Sequence, residues 1–447
     1  MKFFSPRLLS VGMAMASIAP VQAQSLVDLF SAAKDYDASY KAAQSLHEAN
    51  QAKAAQARAQ LLPTSNLSLS STAAQIDTNP DLKSQNTPMG LRGYRTQVAT
   101  LSATQPLYRP VNWATYLQSF KSLSQSEAAL QVAQQELLLR VSQAYFDVLA
   151  SQDSLTFVRA QKAAVSEQLA SAKRNFEVGT ATITDTREAQ ARYDLVISQE
   201  IAAENDLRVK KLALDQLVGI QNTRPNPLRL SVEPKPVTPN QVEAWIEQAE
   251  ENHPQILNNK LALEISELEI DKARAGHKPT LDLQASYGGT RNDAGTAVQN
   301  YGSNVVNTSM ALVMNVPIFA GFATENRIRE TVSLQDKARN DLEASRRNVA
   351  QATRAAYFGL ISGMGQVKAL EAAETSSQVA LDANKLGYSV GVRINIDVLN
   401  SQSQLYQTKR DLAKARYDVL MGGLKLRQAN GTLNPTHLDE VNQLLER

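Results

Sequence analysis

Apolar positions along this chain change their period repeatedly, and each change marks an element. Residues 26–60 are Ala-rich, with apolar and polar positions mixed at helical spacing, which predicts a helix. Leu61-Leu62-Pro63 ends it. From Asn66 the spacing drops to two, in Asn-Leu-Ser-Leu-Ser-Ser-Thr, the period of a strand whose side chains alternate between faces. Asn79-Pro80, Thr87-Pro88 and Gly90 then give a turn-rich stretch. Alternation returns over 95–107, with Val98, Leu101, Ala103 and Leu107 apolar, so the two strands form a hairpin with a long loop. Pro110 and Asn112 open a helical pattern that continues to about Phe176 without proline or glycine. At the α-helical rise such a helix is roughly 100 Å long. That length points to a coiled coil or helical tunnel, not a globular domain. Leu123, Leu130, Leu137 and Ala144 recur every seven residues, as do Val141, Val148 and Leu155, the seam of a coiled coil. A return helix is predicted from about Asp185 to Leu217, stopping at Gly219.

The cycle then starts again. Residues 224–239 hold five prolines, an extended connector by composition. Residues 242–275 have helical spacing. His277-Lys278-Pro279-Thr280-Leu281-Asp282-Leu283 answers Leu61-Leu62-Pro63-Thr64-Ser65-Asn66-Leu67 at a spacing of 216. Residues 281–291 predict a strand and 292–304 a Gly/Asn-rich loop. A further strand is predicted over 307–319, where Met310, Leu312, Met314, Val316 and Ile318 alternate. A second giant helix is predicted over 322–386 and its return over 395–429. The stretches 176–186 and 386–399 each join a long helix to its return, as hairpin tips. Gly179 and Gly391 follow the helix ends, where glycine enters left-handed backbone space without a Cβ penalty. Asp185 reads as the cap of the first return helix, with Glu188 completing a capping box. Gly179 and Gly391, Asp185 and Asp397, Tyr145-Phe146 and Tyr357-Phe358, and Gly219 and Gly431 all repeat at a spacing of 212. The chain therefore reads as an internal duplication. The first repeat covers 24–230, with its strand pair at 66–107 and its helical hairpin at 111–218. A Pro-rich connector follows at 231–238. The second repeat covers 239–431, with strands at 281–319 and a hairpin at 322–430, and a polar tail covers 432–447.

Composition narrows what such a chain does. Positions 1–23 have the form of a secretory signal peptide: Lys2 and Arg7, an apolar middle over 8–20, and Val21-Gln22-Ala23 as a small-residue cleavage site. The formal charge is +2, and losing Lys2 and Arg7 with no acidic residue brings the mature chain to zero. A neutral chain lacks the Lys and Arg excess that phosphate backbones demand, which argues against nucleic acid. The chain has no cysteine, so it carries neither disulfide staples nor a lipid-modified N-terminal cysteine. Beyond the first 23 residues no run approaches the ~20 apolar residues of a membrane helix. A membrane-spanning form must therefore use strands, and the four predicted strands, about 10 to 13 residues each, have the length for it. Four strands cannot close a barrel, and an open sheet edge cannot face lipid, so the membrane form is an oligomer. Two chains would give eight strands and three would give 12. Met310, Leu312, Met314, Val316 and Ile318 suit a lipid-facing side, and Tyr94, Tyr287 and Tyr301 suit an aromatic girdle. Against this stands a sheet with one buried face in a soluble periplasmic coiled-coil scaffold or adaptor.

Candidate chemistry is sparse. Gly387-Tyr388-Ser389-Val390-Gly391 has G-x-S-x-G spacing, but a long helix enters it where a nucleophile elbow needs a strand. His47, His253, His277 and His437 are scattered and lack metal-ligand spacing. Gly359 and Gly363 form G-x-x-x-G, with Arg354 and Lys368 close by; close packing of neighbouring helices, or a local helix irregularity, explains it better than a membrane dimer. Asp397 and Asn400 share a helix face at i and i+3. In a rotationally symmetric tunnel an inward Asp397 becomes a carboxylate ring that attracts cations.

Taken together, FEVGTATITD (176–185), GYSVGVRINIDVL (387–399), the two Pro-Thr helix-to-strand junctions and the two Tyr-Phe pairs resemble the TolC-like outer-membrane channel-tunnels, the outer-membrane factors of type I secretion and multidrug efflux. The resemblance covers about 24–431. It implies an α+β membrane protein: a homotrimer with a 12-strand β-barrel in outer-membrane lipid, continued by a long α-helical coiled-coil tunnel in the periplasm of a Gram-negative bacterium. It implies a passive export duct, neither enzyme nor cofactor protein. The duct opens by untwisting of its periplasmic end on docking to a periplasmic adaptor (a membrane fusion protein) and an inner-membrane ABC or RND transporter. Gate tethers are implied at Thr184, Asp185, Tyr388 and Arg393, a pore constriction at Asp397 and Asn400, and adaptor contacts at Gly179, Thr180, Gly391 and Val392, with no metal. Relatives with two acidic rings carry an aspartate where Asn400 stands, so a weaker negative entrance is expected.

Overall fold

A computed structural model describes residues 24–78, 90–229, 237–294 and 301–446. The expected signal peptide of 1–23, the expected turns at Asn79-Pro80 and Thr87-Pro88, and most of the Pro-rich connector lie outside the described residues.

The Ala-rich opening is two helices, not one: α1 (Leu26–Tyr36) and α2 (Ala38–Ala59). Asp37 breaks them apart. Its backbone is extended, its Oδ1 accepts the Tyr40 N–H at 2.7 Å, and Arg140 clamps both carboxylate oxygens at 3.0 and 3.1 Å. Burial pushes the Asp37 carboxyl up, but the Arg140 and backbone hydrogen bonds win and hold it below the usual carboxylate range. The second half repeats the break, with α5 (Val242–Asn252) and α6 (Pro254–Ala275) parted at His253. Pro254 begins α6, where its missing N–H costs nothing.

Four strands follow the expected pattern with shifted ends: β1 (Thr64–Thr78), β2 (Gly90–Tyr108), β3 (Thr280–Asn292) and β4 (Ser303–Asn315). β4 starts four residues before the expected 307 and stops at Asn315, because Pro317 has no N–H to give the ladder. Val316 and Ile318 therefore lie past the strand. The sheet is antiparallel in the order β1-β2-β3-β4, so the outer edges of β1 and β4 have no strand partner among the described residues. A bulge between Pro106 and Tyr108 ends the β2–β3 ladder, and just beyond it Arg109 grips Asp282 with two bonds of 2.8 and 2.6 Å.

Two long helical hairpins complete the molecule. The first is α3 (Pro110–Glu177) with α4 (Ile183–Val218), and the second is α7 (Ala323–Ser389) with α8 (Asn395–Ala429). At 68 and 67 residues, α3 and α7 each extend roughly 100 Å. Both tips are Schellman turns: Thr180 N–H bonds the Asn175 carbonyl and Val392 N–H that of Gly387, with Gly179 and Gly391 at φ +78° and +81°. The heptad seam of α3 is real, and it continues through buried Val158, Val165 and Ala172. In the glycine pair of α7, Gly363 lets Val419 of α8 approach within 3.2 Å of where a Cβ would stand, and the helix runs on without interruption.

The principal core lies where α1, α3, α4 and α8 meet, around Leu29, Val141, Tyr145, Phe146, Leu214 and Tyr417. The polar tail turns out to belong to this core. Residues Thr436–Asn442 form α9, and Leu433, Leu438, Val441 and Leu445 are buried with α1. Full burial of such side chains stabilises by about 1.5–3 kcal/mol each, so this segment is not a free end. The repeated Tyr-Phe pairs differ: Phe146 is buried, whereas Phe358 is 58% exposed.

Candidate functional site

Two regions carry the functional expectations: the sheet and the seam between the hairpins. Cross-strand register divides the sheet into unlike faces. Leu67 pairs with Leu101, Leu101 with Tyr287, Leu283 with Leu312, and Leu281 with Met314. Directly paired residues share a face, so Leu67, Leu69, Leu101, Tyr287, Met310, Leu312 and Met314 form one apolar surface, and all are exposed. Their neighbours along each strand point the other way: Asn66, Ser68, Ser70, Thr100, Ser102, Gln284, Ser286 and Ser309. Ser286 and Ser309 hydrogen-bond across β3 and β4 at 2.8 Å. The sheet is thus apolar on one side and polar on the other, with neither side covered by a helix layer over Met310–Met314. No helix among the described residues is long and apolar enough to cross a membrane.

At the hairpin tips the structure rearranges the expected contacts. Thr182, not Asp185, caps α4, and Asp185 is the third helical residue that completes the box: its Oδ2 accepts from the Thr182 N–H at 2.9 Å and hydroxyl at 2.7 Å. Thr184 is exposed beside it. Tyr388, in the last turn of α7, accepts a bond from Asn175 Nδ2 at 3.2 Å. Arg393 lies 3.6 Å from Asp397 within its own hairpin, and its stem covers Gly387. None of the four expected tether residues bonds another of the four within the chain. Asn400 accepts from Arg192 Nη2 at 2.8 Å, a contact from α8 to α4. Gly179, Thr180, Gly391 and Val392 stand exposed at the two tips, flanked by exposed Val178 and Val390. Ser389 of the G-x-S-x-G stretch donates to the Leu386 carbonyl inside its own helix and not to a base.

Further ties between the hairpins were missed by sequence reasoning. Asn395 bonds Gln168 and the Asp185 carbonyl, Arg410 bonds buried Gln161 at 3.0 Å, and the Tyr417 hydroxyl donates to Asp153 at 2.7 Å. Burial pushes the Asp153 carboxyl above its ordinary value against the opposing pull of Tyr417, and burial also lowers Arg410. One signal was available for Asn395: it is an amide between Ile394 and Ile396 at a helix start, an unlikely place for an idle polar residue.

Comparison with known proteins places this architecture. The profile of the family described as "Outer membrane efflux protein" matches two stretches, residues 29–220 and 245–432. The chain belongs to the outer membrane efflux protein family. It is similar to the outer membrane protein TolC of Vibrio cholerae, 32% identical over 445 residues, covering 99% of this chain and 98% of that one. It is also similar to the alkaline protease secretion protein AprF of Pseudomonas aeruginosa, 30% identical over 423 residues, with 93% and 86% covered. Among solved structures, the outer membrane protein VceC of Vibrio cholerae shares the fold at a TM-score of 0.76 and 18% identity, with 91% of this chain and 96% of that one covered. CusC superposes at a TM-score of 0.78 and 17% identity, with 92% of each chain covered. As a member of the outer membrane efflux protein family, this chain is an outer-membrane export duct, and the rival scaffold reading is not favoured.

Proposed function

We propose that three copies of this chain close their sheets edge to edge into one 12-strand barrel, β4 of each pairing with β1 of the next. The observation that carries this reading is the four-stranded sheet, with its unpartnered outer edges, exposed apolar face and polar opposite face. Lipid meets the Leu312 side and water fills the Ser286 side. The long hairpins continue the barrel as a periplasmic tunnel, and their near-repetition reflects an internal duplication of the ancestral unit. The tunnel is a passive conduit for type I protein secretion, efflux, or both. It performs no chemistry. Energy comes from an ABC or RND transporter in the inner membrane, and a periplasmic adaptor that engages the tips around Gly179, Thr180, Gly391 and Val392 shifts the tunnel from closed to open. A ligand moves such an equilibrium only by binding the open form better.

At the periplasmic end Asp397 contributes a ring of three carboxylates, and Asn400 adds no charge, so the entrance selects cations through one ring. Single-channel recording in planar bilayers tests both steps. Small, cation-selective pores are expected, with selectivity falling several-fold in Asp397→Ala. Absence of pores from a folded, detergent-stable oligomer would return the sheet to the soluble scaffold reading. Pores with unchanged selectivity would move the filter away from Asp397.

A further inference from the structure

One side chain in the seam between hairpins has both ends of its amide committed. Asn395 is the first residue of α8 and is fully buried within the single chain. Its Oδ1 accepts from Gln168 Nε2 at 2.6 Å, and its Nδ2 donates to the Asp185 carbonyl at 3.1 Å. The first partner belongs to α3 and the second to α4, so one residue of the second hairpin is bonded to both helices of the first. One turn further along, Leu399 inserts among Val165, Leu169, Ala172 and Ala189. Beside it Arg192 holds the exposed Asn400 amide.

The two kinds of contact do different work. An apolar side chain in a seam of Val, Leu and Ala tolerates a small slide or rotation, because burial is non-directional. A buried amide does not. Any displacement of α8 strands both ends of the Asn395 amide away from water, and unmade buried hydrogen bonds are expensive. Buried polar residues in helical seams fix register for this reason. The expected tethers are weaker candidates for that task in this chain, since Tyr388 reaches the first hairpin through one bond from Asn175 and Arg393 bonds within its own hairpin.

We propose that Asn395 is the positioning residue that fixes the register of the second hairpin against the first, with Gln168 as its counterpart and Arg192–Asn400 as a second, exposed tie, and that this register defines the closed state of the duct. The proposal rests on the channel reading above. It also gives Asn400 a role: its amide oxygen serves the Arg192 guanidinium across the seam.

The test uses the full-length oligomer with Asn395→Leu, Gln168→Leu and the double variant, read by bilayer conductance and by amide hydrogen exchange at residues 183–186 and 395–400. Asn395→Leu is expected to raise the open fraction about tenfold, the factor that ~1.4 kcal/mol of lost bias gives. Gln168→Leu, at a half-buried site that tolerates the change, should raise it less, because Asn395 keeps its bond to Asp185. The double variant should fall short of the summed effects, since the two singles remove a shared bond. Exchange in both segments should quicken in the same order. If Asn395→Leu does not fold, Gln168→Leu alone decides the matter by the same two readouts. Variants that melt earlier yet keep the wild-type open fraction and exchange pattern would overturn the proposal and leave Asn395 a packing residue. A wild-type oligomer without pores, whose variants still show faster seam exchange, would overturn the channel reading while leaving the register role of Asn395 in place.

Discussion

His253 ends α5 with its backbone N–H on the Ala249 carbonyl and starts α6 with a ring nitrogen: its Nδ1 accepts the Gln255 N–H at 3.1 Å. Burial holds the imidazole below its ordinary value, so folding favours the neutral ring, and protonation of Nδ1 would abolish the cap. The sign follows from that. The contribution is complete above the unfolded imidazole value and is lost as pH falls through the lower folded value. His253→Asn keeps a capping oxygen but cannot titrate. Its melting midpoint should therefore fall less than that of the wild type between neutral pH and about pH 5, by an amount matching the ~1 kcal/mol of a helix cap. Parallel slopes would show that the His253 cap does not titrate. At this scale sequence and structure diverge most. Asp37 and His253 are both helix breaks, yet each is one residue inside a pattern whose apolar period does not falter, so spacing alone conceals them. Asp185 was placed one turn from its true role for a similar reason. Thr182 and Asp185 make a capping box as readily as Asp185 and Glu188 do, and only backbone geometry separates the two.

The helices themselves were legible because so little interrupts them. After Pro110 the stretch to Glu177 offers no glycine or proline, and its heptads reappear as buried Leu137, Val141, Val148 and Leu155. Strand ends were less legible. Met310, Leu312 and Met314 alternate on towards Ile318, and only Pro317 says where pairing must stop. The partners across the hairpins were not legible, even for Tyr388 and Asn400, since they depend on the rotation of each helix about its own axis. That rotation places Asn400 against Arg192 and Asn395 against Gln168, while Tyr388 reaches Asn175. The double variant Tyr388→Phe with Arg393→Ser removes the acceptor for Asn175 and the partner of Asp397. Each contact is partly exposed and worth about 0.5–1.5 kcal/mol, repeated in every subunit. Bilayer conductance and antibiotic uptake in cells should both rise several-fold. Unchanged conductance in a folded oligomer would remove these two residues from the gate.

For the whole molecule, the sheet decides more than the tunnel does. Its apolar face is legible from alternation alone, but that the opposite face is mostly serine, threonine, asparagine and glutamine near its centre appears only when the four strands are in register. Leu312, 62% exposed on β4, tests the lipid assignment directly. Leu312→Arg should impair outer-membrane insertion, with a cost of about 2–4 kcal/mol at the bilayer midplane, read as loss of heat-modifiable oligomer from outer-membrane fractions. The neighbouring Ala311→Arg, which points to the polar side, should insert far better. Equal behaviour of the two would mean that neither face meets lipid.

The unpaired edges of β1 and β4 have a genetic consequence. The proposed ring of three needs every edge, so a chain with a proline in the middle of β4 would still offer a sound β1 to a neighbour and then leave the circle open. Such an allele is not merely silent beside a normal copy. With equal expression and random mixing, only about one ring in eight escapes it. Loss of export from a single damaged edge would thus be inherited as a dominant trait, whereas a mutation that keeps the chain from folding would be recessive.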